Sequence, residues 1–138
     1  MGYELYITRG ANWYDEVKEP ITLEEWFAYI KSDPEMRLDG FCEAPLGDGS
    51  VFRGEDPSIA VWVAYSEDGV GDNHAWMWHR RGNIGAKNPD REIVAKMWRI
   101  AQSLGARVVG EEDEEYGPDG EEIRPEPPKS FWKRLFWG

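Results

Sequence analysis

Reactive side chains are scarce in this chain. It holds one cysteine, Cys42, and two histidines, His74 and His79, among 138 residues. One thiol cannot form an internal disulfide, which fits a reducing, cytoplasmic setting, and Cys42 reads as a small buried hydrophobe. The histidines stand five apart in a segment with strand character, so they point to opposite faces. With a single cysteine beside them they make no zinc site, and neither a metal nor a cofactor is expected. No serine or cysteine sits in a motif that signals an activated nucleophile. Gly69-Val70-Gly71-Asp72-Asn73 is glycine-rich, yet no P-loop lysine or dinucleotide fingerprint follows it. Asp113 to Glu122 lacks the ligand spacing of an EF-hand. No apolar run approaches the ~20 residues that a membrane span requires, and Met1-Gly2-Tyr3-Glu4 lacks the basic start of a secretory signal. Together these shortages argue against an enzyme and for a binding protein.

Positive charge is also in short supply. Sixteen Lys and Arg face 27 Asp and Glu, for a formal charge of -11. Residues 111–128 hold nine acids and one base, whereas residues 129–138 hold three bases and no acid. Nucleic acid is disfavoured as a partner, because phosphate neutralisation by Lys and Arg dominates that affinity. A basic protein partner is favoured instead, through complementary steering.

Secondary structure follows from periodicity and punctuation. Tyr3 to Thr8 alternates as a strand with Tyr3, Leu5 and Ile7 on one face. Thr22 and Glu25 form a capping box, with Ile21 as staple residue, ahead of a helical stripe of Leu23, Trp26, Phe27 and Ile30. Ser32-Asp33-Pro34 ends that helix. Phe41–Leu46 and Val51–Arg53 flank a Gly47-Asp48-Gly49-Ser50 turn as a hairpin. Ile59–Tyr65, apolar on both faces, predicts a central strand. His74–His79 and Gly82–Ala86 follow, joined by a turn at Arg80-Arg81-Gly82-Asn83. Asn88 as cap and Pro89 as first residue open a second helix with Ile93, Val94, Met97, Trp98, Ala101 and Leu104 as its buried stripe, closed by Gly105. Ala106–Val109 returns as a strand. Helices separated by a run of strands predict an α+β fold, a mostly antiparallel sheet with two main helices on one side. The expected organisation is a domain over 1–116, an acidic Pro-rich linker over 117–128 and an aromatic-basic tail over 129–138.

Eight tryptophans are the chain's surplus. Trp26, Trp62 and Trp98 fall at core positions. Trp76 and Trp78 share one strand face with His74 and Arg80; that stripe either packs beneath a helix or lines a binding surface, where Trp and Arg are the usual anchors. Trp13 and Tyr14 occupy a loop and are expected to be open to a partner. Asp68, Asp72 and the run Glu111, Glu112, Asp113, Glu114 and Glu115 complete the expected partner surface.

In the tail, Phe131, Trp132, Leu135, Phe136 and Trp137 need cover from water. Burying five such side chains yields at most ~7–15 kcal/mol, and ordering about ten residues costs roughly 15 kcal/mol. The tail is therefore a marginal, reversible element. As a helix it would pair Phe131 with Leu135 and Trp132 with Phe136. The acidic flank disfavours an anionic membrane as its partner, so the expectation is a latch on its own domain or on a partner.

Tyr3-Glu4-Leu5-Tyr6-Ile7-Thr8-Arg9, Lys87-Asn88-Pro89-Asp90, and Lys96-Met97 to Gly105-Ala106-Arg107-Val108 resemble a group of small, acidic, uncharacterised bacterial proteins. Gly110-Glu111-Glu112-Asp113-Glu114-Glu115-Tyr116 resembles their G-D-[DE]-G-E-x-Y segment without its inner glycine. The resemblance spans roughly residues 3–116. In size and style such proteins are similar to immunity proteins encoded beside secreted antibacterial toxins, which implies neutralisation of a cognate toxin by direct binding. A different expectation follows from the stripe itself: a small-molecule site, or an enzyme pocket, lined by Trp76, Trp78, His74 and Arg80.

Overall fold

The computed structural model of the chain describes residues 3–14 and 17–123. Positions 124–128 of the linker, and the tail with Phe131, Trp132, Leu135, Phe136 and Trp137, lie outside the described residues.

Alternation along β1 (Glu4–Thr8) buries Leu5 and Ile7 on one side of a sheet and turns Glu4 and Tyr6 to the other. The first helix, α1 (Leu23–Ser32), begins as its residues dictate. Thr22 Oγ1 accepts from the Glu25 N–H at 3.0 Å, and Glu25 Oε1 accepts from the Thr22 N–H at 3.1 Å. Ile21 and Trp26 are fully buried and Ile30 nearly so, but Leu23, expected on the buried stripe, is exposed in the first turn. Asp33 caps the far end immediately before Pro34.

Six strands follow: β2 (Met36–Leu38), β3 (Phe41–Pro45), β4 (Val51–Glu55), β5 (Ala60–Trp62), β6 (Trp76–Arg80) and β7 (Asn83–Lys87). The expected long central strand over Ile59–Tyr65 is only three residues, all buried, and stands second from an edge. Its chain leaves the sheet at Val63, whose N–H donates to Glu35 O at 2.9 Å, and turns at Tyr65. The second helix is α2 (Arg91–Leu104). Its cap is Asp90, whose Oδ1 accepts from the Ile93 N–H at 2.9 Å, and not Asn88. Asn88 instead takes a left-handed φ of 49° and accepts from the Tyr3 N–H at 2.7 Å, which fastens the start of β1. Gly105 ends α2 in the left-handed conformation. The chain closes with β8 (Arg107–Gly110), β9 (Glu115–Tyr116) and β10 (Glu122–Ile123).

The architecture is α+β. One eight-stranded sheet runs β10-β9-β8-β1-β7-β6-β5-β2 with every pairing antiparallel, and β3–β4 form a separate two-stranded hairpin. Both helices cover one side, where Trp26, Met97 and Ile100 pack with Ile7, Met77, Ile84 and Val108. Lys96 is only 3% exposed within this layer. Its Nζ donates to Asp33 Oδ2 at 2.7 Å and Glu35 Oε1 at 3.0 Å. Arg9 ties the ends of both helices, donating to Leu104 O at 2.8 Å and to the Glu25 carboxylate.

Candidate binding cleft

Among the described residues, the face of the sheet away from the helices is covered only at its ends, and the space between is a cleft of about 900 Å³. Its floor depends on one tight turn. Arg81 and Gly82 both have positive φ, 53° and 77°, the geometry of a two-residue type I′ hairpin. That turn sets Trp78 of β6 opposite Gly85 of β7, and Gly85 is opposite Tyr6 of β1 on its other side. A side chain at 85 would place its Cβ 3.3 Å from Trp78 Nε1 and 3.6 Å from Tyr6 Cε1. Glycine here lets two aromatic rings lie down on the sheet.

The β3–β4 hairpin makes the overhanging wall. Cys42, Ala44 and Phe52 line it, and Phe52 is 55% exposed. At its base the Arg53 guanidinium lies 4.1 Å over the Phe41 ring, Phe41 meets Trp76 at 6.0 Å, and Trp76 meets His74 at 5.2 Å. His74 Nδ1 is 2.8 Å from Asp68 Oδ1, which orients the ring. At the far end the Tyr65 hydroxyl binds Asp90 Oδ2 and is 3.1 Å from Glu67 Oε2. Its ionisation is pushed well above the usual range, by the Asp90 hydrogen bond first and then by burial. The lining carries six carboxylates; Arg53 on the hairpin already pairs with Glu43 at 3.0 Å and Glu55 at 3.1 Å, which leaves Glu4, Asp56, Glu67 and Asp90 against two permanent cations, Arg80 and Lys87. Such a cleft attracts cations and offers them ring faces.

All four residues of the expected stripe line this cleft, His74, Trp76 and Trp78 half-buried and Arg80 exposed. Asp68 reaches the cleft through His74, whereas Asp72 is exposed on the preceding loop with a φ of 62°. His79 belongs to the other face, with Nε2 2.6 Å from Ile21 O.

Trp13, Tyr14 and the acidic run form a second cluster at the opposite end of the open face. The Trp13 ring stacks on Tyr6 at 4.8 Å, and its Nε1 donates to Glu111 O at 3.4 Å. Tyr14, 57% exposed, sets its edge on Trp13 and its hydroxyl 3.3 Å from Asp113 Oδ2. Much of the run is engaged within the domain. Glu111 Oε1 accepts from the Glu4 N–H at 3.1 Å, the Glu112 N–H donates to Glu114 at 3.0 Å, and Glu115 pairs with Arg107 at 2.9 Å. Glu114 takes the hydroxyls of Tyr3 and Tyr116. Burial alone would raise the Glu114 carboxyl, but those bonds hold it below its ordinary value. Tyr3 is pushed up to about 12, by burial first and then by Glu114. Asp113, at the position of the missing inner glycine, adopts a φ of 64° and closes the turn, a conformation Asp tolerates.

Sequence reasoning missed Glu4, Tyr6, Tyr65, Asp90 and the hairpin wall. One signal was available: Gly85 inside an apolar strand marks close approach of another group. Compared with protein-family models, with curated proteins and with solved structures, the chain gives no match, so the site stands on its own geometry.

Proposed function

We propose that this chain is a non-enzymatic binding module, acting in the cytoplasm, whose cleft captures a basic segment of a protein partner. The partner class proposed is a bacterial toxin neutralised by that contact. One observation carries the reading: Trp76 and Trp78 lie partly open beneath an overhanging hairpin, inside a lining where the carboxylates not already held by Arg53 outnumber the permanent cations two to one. Large aromatic anchors supply affinity. The acidic lining steers a cationic segment in, and a Lys or Arg over an indole face adds a contact strengthened by desolvation. The test is a calorimetric titration with the product of a neighbouring toxin gene. Binding that weakens with salt, and by 100-fold or more in Trp76→Ala/Trp78→Ala, is expected. No heat and no inhibition of the toxin would end the proposal.

A second reading is a small-molecule site or enzyme pocket. Its support is the cleft volume, within the usual range for ligand sites, and the His74–Asp68 pair in the wall. Quenching of Trp76 and Trp78 fluorescence by a metabolite panel tests it; a response retained in Trp76→Phe/Trp78→Phe would reject it.

A further inference from the structure

The open face carries a straight row of paired residues from the cleft to the last described strand. Trp78 pairs with Gly85, Gly85 with Tyr6, Tyr6 with Val109, Val109 with Glu115 and Glu115 with Ile123. Five strand spacings of about 4.8 Å separate the ends of that row, roughly 24 Å. Ile123 is also the last described residue. Phe131 follows it by eight residues, an extended reach of about 26–29 Å, and Trp137 by fourteen, about 46–50 Å. Phe131 therefore spans the distance only at full extension, whereas Leu135, Phe136 and Trp137 reach the cleft even after a detour around Trp13. Chemistry agrees with reach. Residues 129–138 carry Lys129, Lys133 and Arg134 with no acid, interleaved with Phe131, Trp132, Leu135, Phe136 and Trp137. The cleft offers the complement, Trp76, Trp78 and Phe52 with Glu4, Asp56, Glu67 and Asp90 in excess over Arg80 and Lys87, Glu43 and Glu55 being paired with Arg53.

We propose that residues 129–138 occupy the cleft of their own chain, so that a partner gains the site by displacing them. The proposal rests on the cleft being a recognition surface for basic, aromatic chain, the chemistry assigned above to the partner. A tether of this length holds the tail at an effective concentration near the millimolar range. Weak docking is then enough to keep the cleft filled most of the time. The partner's apparent dissociation constant rises as the open fraction falls.

The test uses the full chain with Cys42→Ser and a nitroxide on Gly138→Cys. Indole N–H signals of Trp76 and Trp78 should broaden more strongly than those of Trp26 and Trp98 on the helix side. The effect should fade in 0.5 M NaCl and in Lys133→Glu/Arg134→Glu, and the latter should bind the partner several-fold more tightly. Uniform or absent broadening would overturn the proposal. So would broadening that appears when spin-labelled and isotope-labelled chains are mixed, because the occupant would then be a second copy. Failure of the toxin titration leaves this result untouched, and failure of the spin-label experiment leaves partner capture untouched, so the two readings fall separately.

Discussion

The two faces of the large sheet are built from the same strands yet are covered in different ways. On the helix side, Leu5, Ile7, Met77, Ile84 and Val108 meet Trp26, Met97 and Ile100, and even Lys96 has two carboxylate partners there. On the open side, Tyr6, Trp76 and Trp78 stand on the alternate positions of β1 and β6, only partly covered. Period-two alternation supplies both faces. What separates them is cover: two amphipathic helices seal one, while among the described residues a hairpin and a loop reach only the ends of the other. On the function proposed above, stability belongs to one face and recognition to its reverse. A substitution on either face should change one property and spare the other.

The largest expected break in that comparison is Trp26→Ala. Trp26 is fully buried and its Nε1 donates to Ser58 O at 2.8 Å. Its loss should cost about 3–5 kcal/mol in denaturant unfolding. Trp78→Ala, on the opposite face, should cost about 1 kcal/mol or less while removing most partner affinity. Equal losses of stability would show that the open face belongs to the core.

Lys96→Met comes next. It leaves Asp33 and Glu35 facing each other beneath α2 without their cation. Burial alone would raise the Asp33 carboxyl, but hydrogen bonds from Lys96 and Tyr29 hold it below the ordinary range. Breaking a buried pair costs up to about 3–5 kcal/mol, and solvent access at Glu35 brings the expectation to about 2–3 kcal/mol. Lys96→Met with Asp33→Asn and Glu35→Gln should recover more than half of that loss, measured by thermal unfolding. A triple variant no better than the single one would locate the cost in packing.

Local chemistry was legible in the sequence, and non-local pairing was not. The Thr22–Glu25 box, the Arg81-Gly82 turn, the Gly47–Ser50 loop and the Gly105 stop are decided within a few residues, so β1, α1, the hairpins and α2 could be read directly. β2 is three residues long and exists because it pairs with β5 across the intervening hairpin. β9 and β10 form in an acidic stretch whose composition suggested no strand. They become strands because β8 offers an edge and Asp113 closes the turn. The parity of Trp76 and Trp78 was readable as well. Its meaning depended on which face the helices cover, and that is fixed only by the whole sheet. Lys96 lay hidden inside an amphipathic pattern because its partners come from the end of α1.

The smallest expected effect is one of pH, and it sharpens the comparison at the edge of the helix side. Glu25 closes the α1 capping box and also receives Arg9 Nη1 at 3.0 Å and Nη2 at 2.5 Å. The Arg9 hydrogen bond, followed by the Thr22 N–H, lowers its carboxyl from 4.5 to about 2. A carboxyl depressed in the folded state contributes stability above its unfolded value, and that contribution is lost as pH falls through the folded one. The clamp should therefore be complete above about pH 4.5 and fade between there and about pH 2. An NMR titration of the Glu25 side chain should show a midpoint near 2, and Arg9→Gln should move it back toward 4.5. Signals from α1's first turn should follow that titration, whereas the indole signals of Trp76 and Trp78 should not. If the cleft signals moved with the same midpoint, the two faces would be coupled through α1, and the separation of stability from recognition would fail at that helix.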